Sequence, residues 1–106
     1  MEFKQIIERA MQIRQQYAAL ETKQSGRQWT REEIALGFVG DVGDLMKFVA
    51  AKEGVRKIDN IEEKLAHELA DCLWSICVLS DLYHVDLESA FTEMMNQIEN
   101  HNTNRL

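Results

Sequence analysis

The sequence of 106 residues contains no proline and only five glycines. Folds built from many short strands depend on turns rich in these two residues, so the composition argues against sandwiches and barrels and favours helices. Hydrophobic residues at 45% and charged residues at 28% are ordinary values for a globular chain. We therefore expect one helical domain over residues 1–106 with a single core.

The sequence also lacks clustered basic residues and long apolar runs. Its net charge is −6, and without a basic patch we expect no binding to a nucleic-acid polymer. The longest strongly apolar run, Cys72–Leu79, is far shorter than the roughly 20 residues that span a bilayer. No charged and apolar leader opens the chain. We expect a cytoplasmic protein with no membrane partner.

Cysteine is scarce, and its spacing excludes two familiar roles. Cys72 and Cys77 lie five residues apart in the apolar run. On a helix they point in different directions, so they cannot bridge each other, and they lack the CxxC spacing of a zinc site. We predict two buried free thiols.

Apolar residues at spacings of three and four predict a first helix from about Glu2 to Glu21, which the polar segment Thr22–Gln28 ends. Thr30 and Glu33 form a capping box for a second helix over about Arg31–Glu53.

Gly54 is expected to adopt the left-handed conformation that follows a helix. Asp59 with Glu62 is a capping candidate for the most apolar part of the chain, a third helix over about Ile61–Tyr83. Asp86 caps a fourth helix.

The fourth helix carries apolar residues from Leu87 to Ile98, and the polar tail Asn100–Leu106 is expected to fray. Four helices with short connections predict an all-α antiparallel four-helix bundle. The third helix is apolar nearly all round, more than a lone bundle needs, so we also expect a second buried face and at least a homodimer.

Two helices carry acids on faces that should be buried. At 100° per residue, Asp41 falls in the middle of the apolar side of the second helix, with Asp44 at its edge. Glu68 and Asp71 repeat the three-residue spacing on the third helix. Side chains three apart lie on neighbouring turns, so all four carboxylates can converge between the helices.

Converging carboxylates need compensation, because burial and mutual repulsion would otherwise drive them to take up protons. A divalent cation removes that difficulty, and an all-oxygen site suits Mg²⁺, with Mn²⁺ as the alternative. A single acid pair would more often be a solvated face or a salt-bridge partner. Two pairs on faces expected to be buried favour a metal site.

These residues resemble the MazG-type all-α nucleoside triphosphate pyrophosphohydrolases, whose hallmark is E-E-x-x-E on one helix and E-x-x-D on the next. The second half is intact in HELADCLW, where Glu68 and Asp71 stand. In the first half, GDVGDL replaces E-E-V-G-E-L, so Gly40 takes the place of the first glutamate. The resemblance covers the second to fourth helices.

Each aspartate of the altered half is one methylene shorter than glutamate, so the helices would have to approach more closely to share a metal ion. Gly37, Gly40 and Gly43, at three-residue steps beside the acids, would permit that approach at a cost of roughly 0.5 to 1 kcal/mol each in helix stability.

The resemblance implies hydrolysis of a nucleoside triphosphate to the monophosphate and pyrophosphate, as in nucleotide-pool house-cleaning. The implied catalytic and metal-binding residues are Asp41, Asp44, Glu68 and Asp71. It also implies a homodimer or a homotetramer.

A bound triphosphate would need further contacts. Cations are available at Lys47, Lys52, Arg56 and Arg105, aromatic rings for base stacking at Trp29 and Trp74, and Asn100 matches an asparagine of the family. Asn96 stands where the family's lysine is expected.

Three alternatives remain. A ferritin-like di-iron bundle is disfavoured because Glu63 and His67 are four apart and no E-x-x-H occurs. A MazG-like protein that has lost efficient catalysis, and a helical interaction module whose acids are surface charges, are the other two.

Overall fold

The computed structural model describes all residues 1–106 and consists of four helices without strands. The bounds are α1 Phe3–Ser25, α2 Arg31–Lys52, α3 Ile61–Leu82 and α4 Leu87–Arg105. The predicted all-α class is confirmed, and α1 runs one turn beyond its expected end at Glu21. Gly26, with φ of 83°, ends α1 in the left-handed conformation that glycine adopts most easily.

Most of the predicted helix signals are correct. Thr30 and Glu33 form the capping box of α2, and the Asp86 carboxylate accepts the backbone N–H of Ser89 at 3.1 Å. Gly54 has a positive φ of 82°.

Two local predictions are wrong. The residue before α3 is Asn60 rather than Asp59, and it adopts a left-handed conformation without a side-chain cap. The tail does not fray at Asn100, because the hydrogen bonds of α4 continue to the end of the chain and Leu106 donates to Asn102 at 3.0 Å. The helix propensities of single residues predicted neither the start of α3 nor the end of α4, because the ends of helices are the least certain part of such a prediction.

The packed part of the chain is built around α3, which lies against α2 and α1. Its core contains Ala10, Ile34, Cys77 and Val78, and the last two are almost completely buried. Both cysteines are buried and free, as predicted, and burial raises the pKa of each thiol.

Helix α4 differs from the other three because none of its residues is buried. Its apolar side chains Phe91, Met94, Met95 and Ile98 remain exposed. The radius of gyration is 17.0 Å, compared with about 13 Å for a compact chain of this length. A single chain therefore leaves much apolar surface uncovered.

None of the four helices has the apolar length that crossing a bilayer requires.

Candidate functional site: an acidic cluster beside an aromatic cavity

Three of the four predicted acids converge where α2 faces α3. Carboxylate oxygens of Asp41, Asp44 and Glu68 all lie within 4.8 Å of one another. The three-residue step on α2 aims two acids at the third, as the helical projection indicated. This arrangement suits a divalent cation that prefers oxygen ligands.

Glu68 is the most buried member of this cluster, with 7% of its surface exposed. Its Oε1 atom is buried and has no hydrogen-bond partner. Burial raises the pKa of Glu68, and the neighbouring charges of Asp71 and Asp41 raise it further. A buried carboxylate oxygen without a partner is costly, and a metal ion would satisfy it.

Asp41 is held in place from α3, because the Ser75 hydroxyl donates to its Oδ2 at 3.3 Å. Burial raises the pKa of Asp41, and the charge of Asp71 adds to that increase. Asp44 is more open, with 51% of its side chain exposed. The cluster thus has a buried end at Glu68 and an open end at Asp44.

Asp71 lies outside the close group of three acids. It lines a cavity together with Asp41 and Ser75, and its charge raises the pKa of both Asp41 and Glu68. All four predicted acids therefore interact electrostatically, although only three have carboxylate oxygens within 4.8 Å of one another.

The cavity beside the acids has a volume of about 640 Å³ and lies between α1, α2 and α3. Both tryptophans predicted as base-stacking candidates, Trp29 and Trp74, line it. The cavity therefore joins a strongly acidic end to an aromatic region.

Trp74 is anchored from two directions. Its indole N–H donates to the Ala10 carbonyl at 3.1 Å, and its ring meets Tyr17 edge to face with centroids 5.7 Å apart. Trp29 is nearly half exposed, at 48%. These contacts make Trp74 a fixed wall, whereas Trp29 lies at the edge of the cavity.

Sequence reasoning missed the pair Arg14 and Glu21, which also lines the cavity. Arg14 donates two hydrogen bonds to Glu21, at 2.8 and 2.7 Å. The Arg14 hydrogen bond lowers the pKa of Glu21. The signal was present in the sequence, because Arg14 shares the inward face of α1 with Ala10 and Ala18, just as the acids share apolar faces of α2 and α3.

The predicted role of Gly37, Gly40 and Gly43, which was to let the helices approach more closely, is wrong within one chain. A Cβ added at Gly40 or Gly43 would meet nothing within 4 Å, so neither glycine permits close packing of two helices. At Gly37 the neighbour would be Cζ3 of Trp29 at 3.5 Å, an ordinary contact with a loop residue. The acids converge without help from Gly40 and Gly43.

The predicted polar contacts are scattered. Lys47 lies 3.6 Å from Asp44, Lys52 forms an ion pair with Glu62, and Arg56 is exposed after α2. Asn100 is exposed on α4. Among them only Lys47 contacts a member of the acidic cluster.

The sequence of residues 39–106 matches the family model of the MazG nucleotide pyrophosphohydrolase domain. The matched region contains all four acids and excludes α1 and the loop after it. No curated protein and no solved structure gives a significant match to the chain.

Proposed function

The chain belongs to the MazG nucleotide pyrophosphohydrolase family, and we propose that it converts nucleoside triphosphates and water into nucleoside monophosphates and pyrophosphate with the help of Mg²⁺. In this reaction the water oxygen bonds to the α phosphorus, and the bond from that phosphorus to the bridging oxygen breaks. Removal of unwanted nucleotides from the cellular pool is the corresponding role.

The observation that carries this proposal is the group formed by Asp41, Asp44 and Glu68, in which a buried carboxylate oxygen has no partner. These three acids, with Asp71 beside them, would hold the metal, and Mn²⁺ is an alternative occupant. Bound Mg²⁺ would supply charge neutralisation for the triphosphate and a lowered pKa for the attacking water. Ser75 keeps Asp41 oriented toward this position through its hydroxyl.

The adjoining cavity would accept the nucleoside. Trp74 offers a ring fixed by Ala10 and Tyr17, and Trp29 offers a second ring at the edge. Aromatic rings stack on any nucleobase, so this region would bind the base without by itself selecting one. Lys47, next to Asp44, is the cation best placed to bind a phosphate. The cations Lys52 and Arg56 and the uncharged amide of Asn100 are weaker candidates for substrate binding.

We also propose that the chain works as a homodimer. Its accessible surface is 8199 Å², compared with about 6,100 Å² for a compact chain of this mass. Covering the excess in two subunits would bury roughly 4,000 Å², which is typical of obligate homodimers. Exposed apolar side chains are available for this on three helices: Leu36, Val39 and Met46 on α2, Leu69 and Leu73 on α3, and Phe91 and Met94 on α4.

Light scattering after gel filtration tests the assembly. The wild-type protein is expected to elute at the mass of a dimer, and a mass of four chains would identify a homotetramer instead. Phe91→Lys should shift the protein toward monomer, whereas its exposed neighbour changed by Thr92→Lys should not. A wild-type monomer at all concentrations would contradict the proposed dimer.

Pyrophosphate release from a panel of canonical and modified triphosphates tests the reaction. We expect release from at least one nucleotide with Mg²⁺ and none with a chelator. The matched control is Glu8→Gln on the exposed surface of α1, to be compared with Glu68→Gln. No release from any nucleotide at high enzyme concentration would overturn the catalytic proposal.

The second candidate is a MazG-like protein that binds metal and nucleotide without efficient turnover. The shorter aspartates at positions 41 and 44 favour it, because Asp44 is half exposed and reaches the cluster from its open end. Thermal stabilisation by Mg²⁺ and nucleotide without pyrophosphate release would identify this alternative.

A further inference from the structure

A charged pair lies inside α1, although the chain buries only ten residues. Arg14 is one of the ten, with 5% of its surface exposed. Its guanidinium holds the Glu21 carboxylate through two parallel hydrogen bonds at 2.8 and 2.7 Å. Apolar residues of similar volume often stabilise a protein as well as such a pair does. Stability alone therefore does not explain why these two charges are buried here.

Glu21 makes one more contact, and it leads to the cavity. Its Oε1 atom accepts the backbone N–H of Trp29 at 2.8 Å. Trp29 belongs to the connection between α1 and α2, and its side chain lines the cavity near Gly37. The carboxylate thus links the buried guanidinium of α1 to the loop that carries the aromatic edge of the cavity.

The same pair shapes the charge of the cavity. The negative charge of Glu21 is balanced by Arg14 in direct contact. Asp41 and Asp71 also line the cavity, and neither has a basic partner. Uncompensated negative charge is therefore confined to the Asp41 and Asp71 side, where cation-bound phosphates would lie. The side at Glu21 suits an uncharged aromatic group.

We propose that Glu21 is a positioning residue for the nucleoside end of the substrate. Braced by Arg14, its carboxylate holds Trp29 by the backbone N–H and so fixes the aromatic edge of the cavity beside Gly37. This inference rests on the proposed nucleotide hydrolysis and extends it to residues outside the matched region 39–106.

The experiment compares variants that keep the fold but change the link to Trp29. Arg14→Met together with Glu21→Met replaces the pair by apolar side chains and removes the acceptor for the Trp29 N–H. Glu21→Gln keeps one carbonyl oxygen for that N–H. The matched control is Glu33→Gln, because Glu33 also holds an arginine through two hydrogen bonds near the same loop but does not line the cavity.

Two readouts are expected to change together. In a Trp74→Phe background Trp29 is the sole tryptophan, and acrylamide should quench its fluorescence more strongly in the double variant than in the parent. In the protein with both tryptophans, KM for the nucleotide should rise about tenfold, the equivalent of one weakened stacking contact. The turnover number should change far less, because the acids are untouched. Glu21→Gln should lie between the parent and the double variant.

A folded double variant with unchanged quenching and unchanged KM would overturn the role of Glu21. A fall in turnover number at constant KM would also overturn it, because the pair would then act on the reacting end. Failure of the wild-type protein to release pyrophosphate would instead overturn the proposed reaction, while the quenching comparison would still report on the link between Glu21 and Trp29.

Discussion

Glu21 and Glu68 are both largely buried glutamates next to the same group of helices, yet their surroundings are opposite. The Glu21 carboxylate is fully engaged, with two hydrogen bonds from Arg14 and one from the backbone of Trp29. Glu68 has a buried oxygen without any partner and two acids whose carboxylate oxygens lie within 4.8 Å of its own. The pKa of Glu21 is lowered by the Arg14 hydrogen bond, whereas burial raises the pKa of Glu68.

The fold supplies hydrogen-bond and charge partners for the Glu21 carboxylate, but it supplies none for the buried oxygen of Glu68. Glu21 has all its compensation within the chain, so nothing further has to bind there. Glu68 lacks a partner within the chain, and either a proton or a bound cation would compensate its charge. Burial alone does not distinguish the two roles, but the presence or absence of partners does.

The largest expected effect on stability comes from removing Arg14, the charge partner of Glu21. Arg14→Met alone leaves the Glu21 carboxylate buried and unpaired, and we expect a loss of about 3 to 5 kcal/mol in the free energy of unfolding. Replacing both residues by methionine should recover most of that loss, since no charge is then left unpaired. Urea unfolding of the single and double variants measures this, and a single variant as stable as wild type would contradict the comparison.

Glu68→Gln should reduce pyrophosphate release by at least about 100-fold, because losing even a partner that only orients a metal ligand costs roughly 10- to 100-fold. Calorimetry should show that the variant also binds Mg²⁺ more weakly than wild type. Glu8→Gln serves as the exposed control. Full activity in Glu68→Gln would remove Glu68 from the site.

The pH dependence of stability should also separate the two acids. Because the pKa of Glu68 lies above its ordinary value of 4.5, the metal-free folded chain holds this proton more tightly than the unfolded chain does. The stabilising contribution of protonated Glu68 is therefore lost as pH rises from 4.5 through the folded pKa. Glu21 has the opposite sign, because its lowered pKa gives stability that is present above 4.5 and lost as pH falls.

Urea unfolding with a chelator between pH 4 and pH 8 measures these contributions. The free energy of unfolding of Glu68→Gln should increase relative to that of wild type as pH rises, and the difference should reach about 1 kcal/mol near neutrality. Excess Mg²⁺ should reverse the order of the two proteins. A constant difference across the pH range would show that Glu68 is not the source of the burial penalty.

The smallest effect is expected at the exposed counterpart of the buried pair. Arg27 holds Glu33 at 2.7 Å, but 62% of the Arg27 side chain is exposed. The Arg27 hydrogen bond lowers the pKa of Glu33 to about 2, so any contribution of this pair is complete above pH 4.5 and is lost as pH falls from there toward 2. Solvent screening makes such pairs weak, and Arg27→Ala should leave the urea midpoint at neutral pH unchanged. A clear shift would mean that exposure does not separate the two ion pairs.

Much of the helical organisation was predictable because it depends on local signals. Thr30 and Glu33 cap α2 through residues three apart, and the projection of Asp41 onto the face shared with α3 needs only the helical period. The continuation of α4 through Asn100 was not predictable, because its tail has ordinary polar residues whose helical preference is weak. The open space at Gly40 and Gly43 was equally hidden, since periodicity does not say how far a neighbouring helix lies.

The sequence by itself determined that this protein is helical and that its acids share inward faces, since both properties follow from composition and from spacings within one helix. The tertiary structure decided which acids meet groups on other elements. Arg14 and Glu21 meet across two turns of α1 and hold the backbone of Trp29, whereas Glu68 from α3 meets two acids of α2. The Trp29 contact of Glu21 and the approach of Glu68 to the acids of α2 depend on distances between different elements, and spacing within one helix does not contain those distances.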